Sequence, residues 1–109
     1  MDVSGAEPAR LRSQAALAAL FEELVVVLGL HVVGQPQWHV FPEPGGVTGL
    51  ALLAESHLAV HTFPEHGFAA LNLYCCRARP RPDFAALVAR HLGAGARVQV
   101  RELARSVAP

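Results

Sequence analysis

The sequence predicts a small α+β domain, a two-layer sandwich in which an antiparallel sheet carries two helices on one face. Three observations predict it. Two stretches, one in each half of the chain, repeat apolar residues at helical spacing. Between and after them lie strand-like segments punctuated by Gly- and Pro-containing turns. The strands run in succession rather than alternating strictly with helices, which favours antiparallel pairing. The 109 residues fit one domain, 1–109. An apolar fraction of 52% is enough for a core, and a domain of this size often gains by oligomerising.

Residues 1–12 are mixed, with Gly5 and Pro8 breaking any regular pattern. Ser13 is placed to cap a helix in which Leu17, Leu20, Phe21, Leu24 and Leu28 recur on one face, and Gly29 to end it. His31 to Phe41 reads as extended, and Pro36 restricts its middle to an edge or a bulge. Residues 41–46, FPEPGG, form a turn, closed by further glycine up to Gly49. Strands follow at Val47 to Ala54, His57 to Phe63 and Phe68 to Cys76, the last two joined by a turn over Pro64 to Gly67. Prolines at 80 and 82 mark a loop, and Asp83 can cap a second helix carrying Phe84, Leu87, Val88 and Leu92. Arg97 to Leu103 alternates as a last strand. Strand alternation puts Ala69, Leu71, Leu73 and Cys75 on the core side. Phe68, Ala70, Asn72, Tyr74 and Cys76 fall on the other.

Composition narrows the function. Net charge is zero and the basic residues are scattered, which argues against a nucleic-acid or anionic-membrane partner. No apolar run approaches the ~20 residues that span a bilayer, and MDVSGAEPAR lacks the basic and apolar regions of a secretory signal. Cys75 and Cys76 are adjacent, a poor geometry for a structural disulfide. A reducing, cytoplasmic location is therefore expected. All nine basic residues are arginine. Without lysine there is no pyridoxal phosphate Schiff base, so carbonyl chemistry here needs another electron sink.

The chemistry-bearing residues crowd into Glu55 to Cys76: Ser56, His57, His61, His66, both cysteines and two acids. Taken singly, each has a structural explanation. A zinc site is disfavoured, because His57 and His61 lie ~13 Å apart along a straight strand and one metal with ~2 Å bonds cannot take both. A cysteine nucleophile paired with a histidine is an equally bare possibility.

Jointly they are more specific. Glu55-Ser56-His57, then His61-Thr62-Phe63-Pro64-Glu65, then Gly67 and Cys76, resemble the bacterial and archaeal S-adenosylmethionine decarboxylases, small pyruvoyl-dependent enzymes. The match is dense from Gly45 to Cys76. The resemblance implies self-cleavage between Glu55 and Ser56, giving chains 1–55 and 56–109. The Ser56 hydroxyl attacks the Glu55 carbonyl, and elimination followed by hydrolysis leaves a pyruvoyl group in place of the serine. That group forms a Schiff base with the substrate and stands in for pyridoxal phosphate; no metal is implied. The resemblance further implies that His61 is the processing base and that Thr48 supplies a hydroxyl for processing. It makes Cys76 the proton donor to the substrate, Glu65 the acid that holds the ribose hydroxyls and Phe41 a stacking platform for adenine.

One distance bears on this scheme. Ser56 and His61 are five residues apart, ~16 Å along a straight strand, too far for proton transfer. Either the chain kinks at the cleavage point or His61 serves the serine of a second copy. The second alternative, a homodimer with shared sites, is the expectation and agrees with the resemblance. The sequence also departs from the family pattern. Only a stub, Met1 to Val3, stands for the first strand, Ala6 replaces a common cysteine, the loop at Pro42 to Gly46 is one residue longer, and Asn72 replaces a common aspartate. Decarboxylases of ornithine or arginine share the pyruvoyl chemistry, and a non-processing homologue acting as a binding partner is a further alternative. Phe41 and Glu65 favour the adenosine-bearing substrate.

Overall fold

Six strands form one antiparallel sheet in the order β2-β3-β4-β5-β1-β6. They are β1 (Asp2–Ser4), β2 (Gln37–Val40), β3 (Val47–Leu53), β4 (Ser56–Phe63), β5 (Phe68–Tyr74) and β6 (Arg97–Gln99), with helices α1 (Pro8–Leu11), α2 (Gln14–Leu28) and α3 (Phe84–Leu92). The computed structural model describes residues 1–54, 56–75 and 79–105. Glu55 and Cys76, two of the expected site residues, lie outside these. The α+β class and the antiparallel sheet are as the sequence predicts. The number of helices is not, since α1 falls in the stretch read as irregular. Pro8 opens that helix instead of breaking it, because its missing N–H lies in the first turn, where no intrahelical partner exists.

The other helices begin and end where their side chains dictate. Ser13 accepts from the Ala16 N–H at 3.1 Å, Asp83 accepts from the Ala86 N–H at 3.1 Å, and Gly29 closes α2 in the left-handed conformation. Glu23 of α2 accepts from His91 Nε2 at 2.7 Å and also pairs with Arg90, so α3 is pinned to α2. These bonds, Arg90's foremost, hold the Glu23 carboxyl below its ordinary pKa.

Strand β2 is shorter than the extended segment read from the sequence. Gly34 adopts a positive φ and Pro36 follows, leaving Val32 only an isolated bridge to Leu53. Gln37–Val40 then pairs on one side alone, as an edge strand. Gly49 lies within β3 and not in the preceding turn. A Cβ there would sit 2.3 Å from the ring of Trp38, its cross-strand partner, so the indole needs glycine beneath it. The last strand ends at Gln99, short of the expected Leu103.

The core is one cluster. It joins Leu17, Leu20, Phe21, Leu24 and Leu28 of α2 and Leu87, Val88 and Leu92 of α3 to alternate residues of the strands: Val47, Ala51, Leu53, Leu58, Val60, Ala69 and Leu71. Leu73 departs from its expected place and is 38% exposed. The backbone bonds flanking β5 on the β1 side end at Leu71, which pairs with Met1, and Leu73 lies beyond that cover.

Thr62 is the one buried polar residue among those described. Its hydroxyl donates to the Leu11 carbonyl at 2.7 Å and accepts from the Val47 N–H at 2.8 Å. It thereby ties β4 to α1 and to the start of β3. Thr62→Val keeps the shape and strands both backbone groups, so a loss of about 1–3 kcal/mol in urea unfolding is expected. Stability equal to the parent would contradict the tie.

Candidate active site

The candidate residues Thr48 and His61 lie on the outer row of the sheet, the residues that alternate with the core. Strand β4 pairs with β3 from Ser56 to His61 and with β5 from His57 to Phe63. In that register Thr48 stands opposite His61, and His39 opposite Thr48. The Thr48 hydroxyl and His61 Nδ1 are 3.0 Å apart. With the proton on Nδ1, the imidazole donates to Thr48 and leaves Nε2 with a free lone pair, the arrangement a general base needs. His61 itself is exposed.

Phe41 and Glu65 lie at one end of this row. The Phe41 N–H donates to the Gly46 carbonyl at 2.9 Å, closing the 42–45 loop. That loop packs on the end of β4, for a Cβ on Gly46 would meet the Thr62 carbonyl at 2.6 Å. The Phe41 ring is 48% exposed and meets His39 edge-on, centroids 4.5 Å apart. Glu65 is exposed in the 3-10 turn Pro64–His66 that follows β4.

Ser56 lies at the other end. It is the first residue of β4, half-buried and paired with Leu53, so only Ala54 and Glu55 separate the two strands. Beside it, the rings of His57 and Tyr74 stack in parallel, 5.7 Å between centroids and 8° between planes. His61 lies five positions along the regular strand from Ser56, about 16 Å, and Phe63 seven positions, about 23 Å. An odd spacing also puts the Ser56 and His61 side chains on opposite faces of the strand. From Ser56 to His61 the strand is regular. The structure thus brings Thr48 to His61 and places Phe41 and Glu65 at the same end of the sheet. It leaves Ser56 at the other. Cys75 is half-buried and packed against the core, as expected.

The outer row also carries apolar side chains. Leu50, Leu52, Phe63 and Tyr74 are each between 42% and 59% exposed. Among the described residues, a cleft lies between α2 and the 32–38 segment and another beside β6. Neither is lined by Thr48, Ser56, His61, Glu65 or Phe41. Among the described residues no three His, Cys, Asp or Glu side chains come together to hold a metal ion, and no helix is long and apolar enough to cross a membrane. The sequence reading did not single out His39, which stands opposite Thr48 and beside the Phe41 ring. It also missed that Thr62, inside the motif, serves the fold.

The family model for S-adenosylmethionine decarboxylase matches residues 1–106. The chain belongs to this family. Relatives named S-adenosylmethionine decarboxylase proenzyme resemble it over much of its length. The protein of Parasynechococcus marenigrum (strain WH8102) is 39% identical over 90 residues, covering 83% of this chain and 69% of the relative. "S-adenosylmethionine decarboxylase proenzyme 2" of Halalkalibacterium halodurans is 33% identical over 106 residues, covering 96% and 81%. A Prochlorococcus marinus (strain MIT 9313) protein is 55% identical, but over a stretch spanning 48% of this chain and only 42% of its own length.

Proposed function

We propose that this protein is a self-processing, pyruvoyl-dependent decarboxylase of S-adenosylmethionine, a single domain that cuts itself into 1–55 and 56–109 and works as a homodimer. The observation that carries the dimer is the separation of Ser56 from Thr48, His61, Phe41 and Glu65 along one unbroken strand. A two-fold pairing of outer faces sets the Ser56 end of one copy against the Phe41 and Glu65 end of the other. It also covers the exposed Leu50, Leu52 and Phe63. A composite pocket formed between copies accounts for a site that is open surface in the single chain.

Ser56 fits the pyruvoyl group because it is the precursor itself, at a strand terminus that cleavage can free without dismantling the sheet. Once formed, the group supplies the electron sink for decarboxylation. The chain's own residues do the rest. Thr48 orients His61 so that Nε2 can take the proton lost in processing. Cys76 returns a proton to the substrate α-carbon. Glu65 accepts from the ribose hydroxyls and Phe41 stacks on adenine. The relatives' shared name, proenzyme, supports processing, and the family match supports S-adenosylmethionine over ornithine or arginine.

The cut also suits the topology. It falls at the tip of the β3–β4 hairpin, and the two products interleave in the sheet, β2 and β3 from one, β4 and β5 from the other, then β1 and β6. Purified protein is therefore expected to show two chains, 1–55 and 56–109, under denaturing mass spectrometry, the second blocked at its N-terminus. Under native conditions the two remain together and release carbon dioxide from S-adenosylmethionine. A single intact chain after prolonged incubation would overturn this function.

A further inference from the structure

We propose that the His57–Tyr74 stack is a positioning element for the self-cleaved enzyme, holding the new end of β4 in register with the strand that leads to Cys76. This rests on cleavage between Glu55 and Ser56. Cleavage removes the covalent turn between Leu53 and Ser56, and a severed strand end frays unless its neighbours hold it. His57 is the residue whose backbone nitrogen carries residue 56. Its ring lies parallel to that of Tyr74, its direct partner across β4 and β5, at 5.7 Å. Tyr74 stands two residues before Cys76, and Leu52 faces His57 from β3. The stack therefore ties the strand end that begins at Ser56 to β5. Both rings are exposed in the single chain and neither belongs to the core, so the pair contributes little to the fold.

The parent chain, Tyr74→Phe, Tyr74→Leu and His57→Leu are compared for cleavage, kcat and KM toward S-adenosylmethionine. Backbone hydrogen exchange at residues 57–59 is followed in each, and again with Ser56→Ala added to keep the chain whole. An aromatic pair of this kind accounts for about a 3- to 10-fold change. Tyr74→Leu and His57→Leu should cleave normally yet lose that factor in kcat, with KM unchanged, and exchange faster at 57–59 only in the cut form. Tyr74→Phe, which keeps the stack, should behave as the parent. Parental kcat and exchange in Tyr74→Leu would overturn the proposal, as would equal loosening of cut and uncut chains. Absence of cleavage in the parent is a separate outcome that overturns the processing reading itself.

Discussion

With His61 replaced by alanine, the chain is expected to fold normally and to cut itself at least ~10²-fold more slowly than the parent, the usual contribution of a positioned general base. The reason is local. His61 is exposed on the outer row of a regular strand, packs into no core cluster, and is held at Nδ1 by the Thr48 hydroxyl at 3.0 Å. Removing Thr48's oxygen leaves the imidazole present but unoriented, so Thr48→Val should slow cleavage less, by roughly tenfold, about the value of one hydrogen bond. Thr48→Ser restores the hydroxyl and should cleave as the parent does. The fraction of chain cut is read by denaturing mass spectrometry over time after synthesis. His61→Ala cleaving at the parental rate would remove His61 from processing.

Cys76→Ala is expected to do the reverse. Cleavage proceeds, because the processing hydroxyls and His61 are untouched, while turnover of S-adenosylmethionine falls by about 10² to 10⁴ with the loss of a general acid. The two substitutions thus separate making the cofactor from using it. Rates of cleavage and of carbon dioxide release, measured on the same preparation, distinguish the roles. Loss of cleavage in Cys76→Ala would contradict the division of labour proposed for this chain.

Much of the fold was legible because local signals agreed with one another. Ser13, Asp83 and Gly29 cap the helices as their chemistry requires, and alternation in β3 and β4 separates core from surface residue by residue. The misreadings came where a residue carries two meanings. Pro8 reads as a breaker but is favourable in a first helical turn. Gly49 reads as a turn but leaves room for Trp38 inside a strand. Leu73 has the alternation of a core residue and lies past the point where β1 accompanies β5.

The site was legible as a set of residues but not as an arrangement. Spacing alone measured Ser56 far from His61 and could not choose between a kink and a second copy. The unbroken register of β4 keeps Ser56 and His61 at opposite ends of the strand. Phe41 and Glu65, distant in sequence, fall at one end of the sheet because the loop after Phe41 packs on the turn that carries Glu65. That neighbourhood depends on the pairing of β2, β3 and β4, which no local pattern records.

The sharing of one site between two copies is tested most directly by mixing defects. Chains carrying Ser56→Ala and chains carrying His61→Ala are produced together, with each also made alone. Neither alone should be cut. Together, a dimer of one of each pairs an intact Ser56 with an intact His61 from the other chain. The account predicts that the His61→Ala chain becomes cleaved, up to about half of it for random pairing of equal amounts, and that the Ser56→Ala chain stays whole. No cleavage in the mixture, from chains shown to associate, would contradict it.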